Sequence, residues 1–501
     1  RPPITGHRLP ITVSSIARQA FSGSVASFAA SAITITLGLI RTLLLLKLLL
    51  PDDFGVAAQA LFFVGLTALI RLPGMDRGIV HREEVNQSTL SSWFTLRMST
   101  LGGSLLLMAL LTPLIARFYP DMPLLGPVIL AFLAVNVVAG LSAVQEVIHS
   151  RDLHFKRIAW ANVLSAVATT IITPYLAWQG WGVWSLVAER FIGQFPRMVV
   201  FWSSRHMWFP HLGWNKTEIR WLRDFGLKGM ANANLTYALD RFDDFWVGTF
   251  LGKTALGYYS RAYELARYPR RLAANPLLTV FFPTFARLQS DRARLSKAFV
   301  RSSAIIIRFG LWIALLFIIM APELILFLGE EWYPMLLTLQ LMVVYTMLDP
   351  ASLVASNLLI AVGYPGKLAR TRLVQALFFV PAVVLLGQWQ GIEGVAIAAN
   401  LMILLGIVIL YGQVREFVDF SAARLWVRPL LAMAVTGGIV WLGETYWGDT
   451  AVWLAVILKG SLITGIYFAL LFLLERKESV NNWSLLKNIM RPYAHRLRQN
   501  R

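Results

Sequence analysis

The sequence predicts an all-α polytopic membrane protein of about fourteen transmembrane helices: two parallel six-helix lobes around a central cavity, plus two C-terminal helices. Three observations lead there. Of 501 residues, 57% are hydrophobic and 15% charged, and the mean hydropathy is +0.60. Soluble domains carry roughly 25% charged residues, so a chain this long and this poor in charge cannot cover a water-facing surface. Apolar stretches of about 20 residues, the length that crosses a bilayer, recur along the chain between charges or Pro/Gly turns. Finally, three corner motifs of the first half reappear in order in the second.

The expected spans are 22–49, 54–73, 94–117, 124–146, 157–178, 181–203, 221–250, 256–286, 303–328, 334–360, 368–388, 392–414, 426–444 and 450–474. The first apolar run is too long for a signal-peptide core and reads as a true span. Segments 221–250 and 256–286 are the least clean, because charges lie well inside both. In the second of these, Pro269, Pro276 and Pro283 recur every seven residues. Each proline removes a backbone donor, so this helix is expected to be curved or broken. The organisation follows: an N-terminal segment 1–21, an N-lobe 22–205, a C-lobe 206–415, two further spans in 416–474 and a basic amphipathic tail 475–501 lying along the cytoplasmic interface.

The formal charge is +19, from 46 Lys plus Arg against 27 Asp plus Glu. In a soluble protein that excess points to nucleic acid; here it sorts by membrane side. With both termini cytoplasmic, the inner connectors hold Arg77 and Arg82, then Arg151, Lys156 and Arg157, then Lys216 and Arg220, then Arg287, Arg292 and Arg294, and later Lys367, Arg415 and Arg424. The outer connectors hold Asp52 and Asp53, Asp121, Glu330 and Glu331, Glu393 and Asp449. Lys253 breaks the pattern, as does Arg117 at a boundary. This is the positive-inside asymmetry; it makes membrane lipids the partner of the basic surface and leaves no role for nucleic acid.

The internal echoes give the lobes. PDDFG, ending at Gly55, matches KTALG, ending at Gly257, 202 residues later. FYPDMPLLGPVIL from Phe118 matches FLGEEWYPMLLTL from Phe327, and Gly182-Val183 matches Gly394-Val395, 212 residues on. Parallel halves related by an axis along the membrane normal enclose a cavity between them.

Several chemistries are excluded. There is no cysteine, hence no disulfide, thiolate metal site or cysteine nucleophile. There is no GxxxxGK[ST] phosphate loop for ATP. Asp52 and Asp53 could mark a glycosyltransferase, but no outer connector is long enough to build a sugar and metal pocket, and they read better as outer charges at a helix start. No metal site or catalytic residue is expected.

Charges inside spans cost at least ~2.5 kcal/mol each at the helix centre and so mark candidate sites. Tyr237, Asp240 or Arg241, and Asp244 share one helical face. In the next span Gly257, Arg261, Glu264, Tyr268 and Arg271 share another, with Tyr258, Tyr259, Tyr263 and Arg267 close by. In one reading these helices wall an aqueous cavity in which arginine grips phosphate bidentately and tyrosines stack on sugars. In the other, Arg241 with Asp244 and Arg261 with Glu264 are internal ion pairs. Arg41, Gln59 and Arg71 are further substrate-binding candidates, the two arginines being equally able to snorkel to the interfaces. Glu189 and Arg190 are further buried polar candidates in the sixth span. Asp349, beside Pro350, is a candidate for carrying a coupling proton.

The stretches LLLPDDFGVAA, SRDLHFKR, GKTALGYYSRAYELARYP, VFFPTFARLQSD and FLGEEWYP together resemble the polysaccharide transport family of oligosaccharide flippases, within the multidrug/oligosaccharidyl-lipid/polysaccharide exporter superfamily. The resemblance runs from about residue 20 to about 415. It implies a fourteen-helix, two-lobed inner-membrane transporter that turns undecaprenyl-diphosphate-linked oligosaccharides outward by alternating access, for O-antigen, capsule or exopolysaccharide. It also implies substrate contacts at Arg41, Gln59, Arg71, Asp240, Arg241, Arg261 and Glu264. Partners would be the lipid-linked oligosaccharide and the polymerase and glycosyltransferases of its pathway. No cofactor is implied, and a coupling ion, Na⁺ or H⁺, is left open. The competing expectations are a small-molecule antiporter of the same superfamily and a membrane glycosyltransferase or ligase.

Overall fold

The computed structural model describes residues 13–72, 74–82, 84–203, 207–443 and 452–475. In lipid the backbone must satisfy its own hydrogen bonds, and among the described residues there is no strand. The helices are α1 (Val13–Leu48), α2 (Pro51–Ile70), α3 (Gly74–His81), α4 (Gln87–Phe118), α5 (Leu125–Arg151), α6 (Phe155–Trp178), α7 (Val183–Trp202), α8 (Lys216–Phe250), α9 (Gly252–Leu288), α10 (Arg292–Leu328), α11 (Leu336–Ala361), α12 (Pro365–Val414), α13 (Ala422–Leu442) and α14 (Val452–Leu474), with a 3₁₀ turn at Glu330–Met335 before α11. All fourteen expected spans fall on these helices, two of them on α12. Among the described residues, ten helices are long and apolar enough to cross a membrane; α7, α8 and α9, which carry charges well inside, are not among them, and α12, with two expected spans on either side of Gly391, counts once. The short α3 was not anticipated, and α1 begins at Val13 rather than at 22. Most of the N-terminal segment and all of the tail beyond Glu475 lie outside the described residues.

Four helices open on side-chain caps that take up otherwise unpaired N–H groups. Asn86 accepts from the Thr89 N–H at 2.8 Å, Asn215 from Thr217 at 3.0 Å, Asp291 from Arg294 at 3.0 Å and Ser421 from Arg424 at 3.4 Å. All four caps begin helices at the end that the charge pattern assigns to the cytoplasm.

The chain forms two compact units, Arg1–Tyr268 with Arg372–Ala398, and Pro269–Thr371 with Ala399–Arg501. In the first, α6 packs on α1 and α7, α5 on α2, α4 and α7, and α8 on α2, α3 and α4. A small core of Met75, Ile79, Trp93, Val144, Ile148 and Leu222 joins α3, α4, α5 and α8. In the second unit α10 packs on α11, α13 and α14. The C-terminal helices are tied down by charge as well as by packing. Lys459 of α14 pairs with Glu323 of α10, both within the buried part of the helices. Glu475 takes the Arg308 guanidinium through both oxygens, at 2.6 and 2.7 Å. Between α12 and α13, Arg292 grips Asp419 at 2.7 and 3.0 Å, and this hydrogen bonding holds the Asp419 carboxyl below its usual range.

The second feature of the first unit is a reciprocal contact between the two echoed corners. A Cβ on Gly55 would lie 1.8 Å from the Lys253 carbonyl oxygen, and a Cβ on Gly257 would lie 1.9 Å from that of Pro51. Gly257 and Lys253 stand 202 residues after Gly55 and Pro51. Each corner's glycine therefore rests on the backbone of the position equivalent to the one that touches its own counterpart. That is a local two-fold, formed by the repeat the sequence predicts. Side chains reinforce it: Asp52 pairs with Lys253 at 2.9 Å and accepts from the Thr254 hydroxyl, while Asp53 accepts the Leu50 N–H at 3.3 Å. Both acids thus serve the corner, as charges at a helix start. Lys253, which broke the charge pattern, is held by an acid of the opposing corner.

Two sequence expectations change. The third echo is out of register by three residues: Gly182 (φ 52°, ψ −131°), which opens α7, has the conformation of Gly391 (φ 61°, ψ −137°), where α12 breaks. L side chains avoid this region, so Gly391 and not Gly394 is the structural counterpart. The α9 helix runs unbroken from Gly252 to Leu288 despite its three prolines, because each removes a single helical hydrogen bond and the seven-residue spacing leaves intact turns between. Pro269 nevertheless marks where the chain passes from the first unit to the second.

Replacing Gly55 or Gly257 by alanine forces the two corner backbones apart. Each substitution is expected to lower stability by about 1–3 kcal/mol, the usual range for overpacking, seen as a lower unfolding temperature of the purified protein in detergent; Gly412→Ala, where a Cβ meets open space, should leave it unchanged.

Candidate functional site

The charged faces expected on α8 and α9 exist, and most of their members are engaged. Tyr237 donates its hydroxyl to the Phe62 carbonyl at 2.8 Å. It crosses α2 at Gly65, where a Cβ would come within 2.1 Å of that hydroxyl, and its ring lies on Phe62 at 6.5 Å. Four residues on, the Arg241 Nη1 donates to Asp244 Oδ2 at 2.7 Å. The pair is lopsided, the arginine side chain being 46% exposed and the aspartate 6%. Asp240 sits on the exposed side of α8.

Asp243, which the sequence reading passed over, is the buried link between α8 and α9. Its Oδ2 accepts from the Tyr259 hydroxyl at 2.6 Å and its Oδ1 from the Asp244 N–H at 3.0 Å. Tyr259 is fully buried, whereas its neighbour Tyr258 is only partly so. The signal was present in the Asp243-Asp244 doublet, but helical phase assigned the face to Asp244 alone.

On α9, Arg261 Nη1 lies 2.7 Å from Glu264 Oε2, one turn on. The guanidinium also covers the Phe54 ring of α2 at 4.7 Å from its centre, and its Nε is buried without a hydrogen-bond partner. Arg267 lies over the Tyr263 ring at 5.4 Å. Tyr268 is buried against α1, its hydroxyl 2.9 Å from Thr42 Oγ1 and its ring edge over Gly38.

The remaining candidates separate. Arg41 neither snorkels nor stands alone: its guanidinium donates to Thr169 at 2.7 Å and meets Glu189 at 3.1 Å, bridging α1, α6 and α7. Glu189 thus pairs with Arg41 and not with its sequence neighbour Arg190, since adjacent helical residues point apart. Gln59 is fully buried between α2 and α8; its amide donates to the Tyr119 hydroxyl at 3.1 Å, which in turn lies 2.7 Å from Thr249 Oγ1. It lies over Gly248, where a Cβ would approach the Gln59 oxygen to 1.9 Å. Arg71 turns back on its own helix, 3.0 Å from Thr67 Oγ1. Asp349 belongs to the other unit, where it is buried and ion-paired with Arg270. Among the described residues no group of His, Cys, Asp or Glu could hold a metal ion.

Gln59, Tyr237, Arg241, Asp244, Arg261 and Glu264 therefore collect along the α2–α8–α9 surfaces of one unit, with Arg41 on a neighbouring helix. The arrangement offers no nucleophile with an adjacent base. It offers guanidinium groups, tyrosines and an amide, which suit binding of an anionic, polar molecule.

A family whose description is "Polysaccharide biosynthesis protein" matches residues 44–337. The chain is 24% identical over 86% of its length to the lipopolysaccharide biosynthesis protein WzxC of Escherichia coli K12, 90% of which is covered. It is 26% identical over 58% of its length to the succinoglycan biosynthesis transport protein ExoT of Rhizobium meliloti, with 58% of that protein covered. Among solved structures, the lipid II flippase MurJ in an inward closed conformation superposes with a TM-score of 0.74 at 13% identity, covering 91% of this chain and 99% of that one. An inward-facing multidrug transporter of the MATE family gives 0.53 at 14% identity, over 78% and 94%. The fold is the one these proteins share.

Arg41→Met leaves the Glu189 carboxylate unpaired between helices, and breaking such a pair costs about 3 kcal/mol. The double substitution Arg41→Met/Glu189→Leu is expected to recover most of that loss, as read by unfolding of the purified protein in detergent; a double variant as weak as the single one sinks the pairing.

Proposed function

The chain belongs to the polysaccharide biosynthesis protein family, and from that membership we propose that it is a flippase for a lipid-linked oligosaccharide. It is a multi-pass membrane protein acting as a transporter rather than an enzyme. Its substrate is an undecaprenyl-diphosphate-linked repeat unit, its membrane the bacterial inner membrane, and its product feeds a surface polysaccharide. Both termini face the cytoplasm, as the loop charges favour.

One observation carries the reading. Arg241 lies nine residues from the Phe250 end of α8, or about 14 Å at ~1.5 Å per residue, near the middle of a ~30 Å hydrocarbon core. At that depth its side chain is 46% exposed although its partner Asp244 is buried. An exposed guanidinium at mid-membrane faces water or an anion and not acyl chains. A diphosphate is the anion that a bidentate donor fits best, and the sugars of the head group suit the neighbouring tyrosines. The lipid tail stays in the bilayer while the head crosses in water. A cationic lining disfavours cationic drugs, which sets the antiporter reading behind this one.

In cells dependent on this protein, Arg241→Ala is expected to reduce surface polysaccharide at least about tenfold, the equivalent of losing one charge-assisted hydrogen-bond contact. Lipid-linked precursor should accumulate on the inner leaflet while the protein remains in the membrane at its normal level. Normal polysaccharide with no precursor accumulation removes Arg241 from the site.

A further inference from the structure

The stretch 207–215, which leads into α8, is held against α5. Gln145 clamps its backbone, donating from Nε2 to the Trp208 carbonyl at 2.6 Å and accepting the Trp208 N–H at 3.2 Å. Gln145 is 20 residues from Leu125 at the other end of α5, about 30 Å along a helix, which is one hydrocarbon thickness. The clamp therefore holds the segment where hydrocarbon gives way to head groups, at the end that the charge pattern assigns to the cytoplasm. Three of its apolar side chains are open: Phe209 is 69%, Leu212 77% and Trp214 64% exposed. Aromatic side chains at that depth anchor in the interface.

Between this segment and the start of α4 lies a cavity of about 540 Å³, whose polar lining is Gln87, Ser88, Ser91, His211, Asn215 and Lys216. Its frame is fixed by hydrogen bonds. Ser91 Oγ lies 2.6 Å from His211 Nε2, Trp208 Nε1 donates to Gln87 at 2.8 Å, the Gly213 N–H to Thr95 at 3.0 Å and the Asn215 N–H to Ser92 at 3.1 Å. No acidic side chain lines it among the described residues. The acid that follows in sequence, Glu218, is taken up by Arg82. An ammonium, hydroxyls, an amide and an imidazole thus face one space without a carboxylate, beside apolar side chains at head-group level.

We propose that this cavity binds the phosphate of an anionic glycerophospholipid from the adjacent leaflet, while Phe209, Leu212 and Trp214 rest among its acyl chains. The bound lipid holds the α7–α8 segment to the membrane. The site is separate from the α8–α9 arginines and does not depend on the transported molecule.

The test uses the full chain, purified in a neutral detergent and offered dioleoyl phosphatidylglycerol, dioleoyl phosphatidylcholine or inorganic phosphate, with retained lipid counted by native mass spectrometry. Phosphatidylglycerol should be retained over phosphatidylcholine. Lys216→Gln, at an exposed helix start, should weaken that retention about tenfold, and Lys216→Arg should restore it. Trp214→Ser, which leaves the polar lining whole, should weaken phosphatidylglycerol binding and leave thermal stabilisation by inorganic phosphate unaltered. Equal retention of the two lipids, or an unchanged Lys216→Gln variant, overturns the proposal. Stabilisation by inorganic phosphate that matches phosphatidylglycerol assigns the cavity to a soluble phosphate ester instead.

Discussion

Hydrocarbon offers a charge no partner, and the arrangement of this protein's helices follows from where the chain supplies one. Arg41 is met by Glu189, Lys253 by Asp52, Arg270 by Asp349 and Lys459 by Glu323. Each of these pairs joins segments distant in sequence, so each constrains which helices can be neighbours. Apolar packing alone specifies less in a bilayer, because lipid tails are as apolar as leucine. The ion pairs, with the buried amide of Gln59 and the hydroxyls of Tyr237, Tyr259 and Tyr268, supply the directional contacts that a hydrophobic core supplies in water.

The reciprocal corner adds a second source of specificity, close backbone approach. Gly55 and Gly257 let each corner lie directly on a carbonyl of the other, and Asp52, Lys253 and Thr254 decorate that contact asymmetrically. A duplicated sequence explains why the two glycines occupy equivalent positions; it does not require the side chains to match. The acidic member serves one copy and the basic member the other, which turns a symmetric contact into an ion pair. The same divergence separates Gly182 and Gly391, which keep one backbone conformation while the flanking residues have drifted enough to hide their register.

Much of this was legible in the residues. Length and hydropathy placed each expected span on a helix of the described structure, since the bilayer imposes a common length on segments that cross it. The charged faces of α8 and α9 were also legible, because Tyr237, Arg241 and Asp244, like Arg261 and Glu264, recur at helical spacing. What periodicity could not supply was the partner across the interface. Arg41 and Glu189 read as buried polar groups of separate spans and belong to each other; Asp243 fell off the predicted face and proved to be the link to Tyr259. Asp349 read as a lone carboxylate because Arg270 lies far from it in sequence. Helical phase says which way a side chain points, and only the packed structure says what it meets.

That distinction separates charges satisfied within the protein from the one that our proposal assigns to the substrate. When a buried acid and a buried base pair across two helices, as in Lys459 with Glu323, both charges are withdrawn from solvent and the pair acts as a tie between helices. Arg261 is close to that limit, covered by Phe54 and paired with Glu264, although its buried Nε has no hydrogen-bond partner. Arg241 is different, because Asp244 is withdrawn from solvent while the arginine side chain stays partly open. Asp244 thus fixes the direction in which Arg241 presents its remaining donors, much as an outer-layer carboxylate orients a binding group. Under the proposed function those remaining donors are what the anionic head group takes up, and packing within α8 supplies no other use for them.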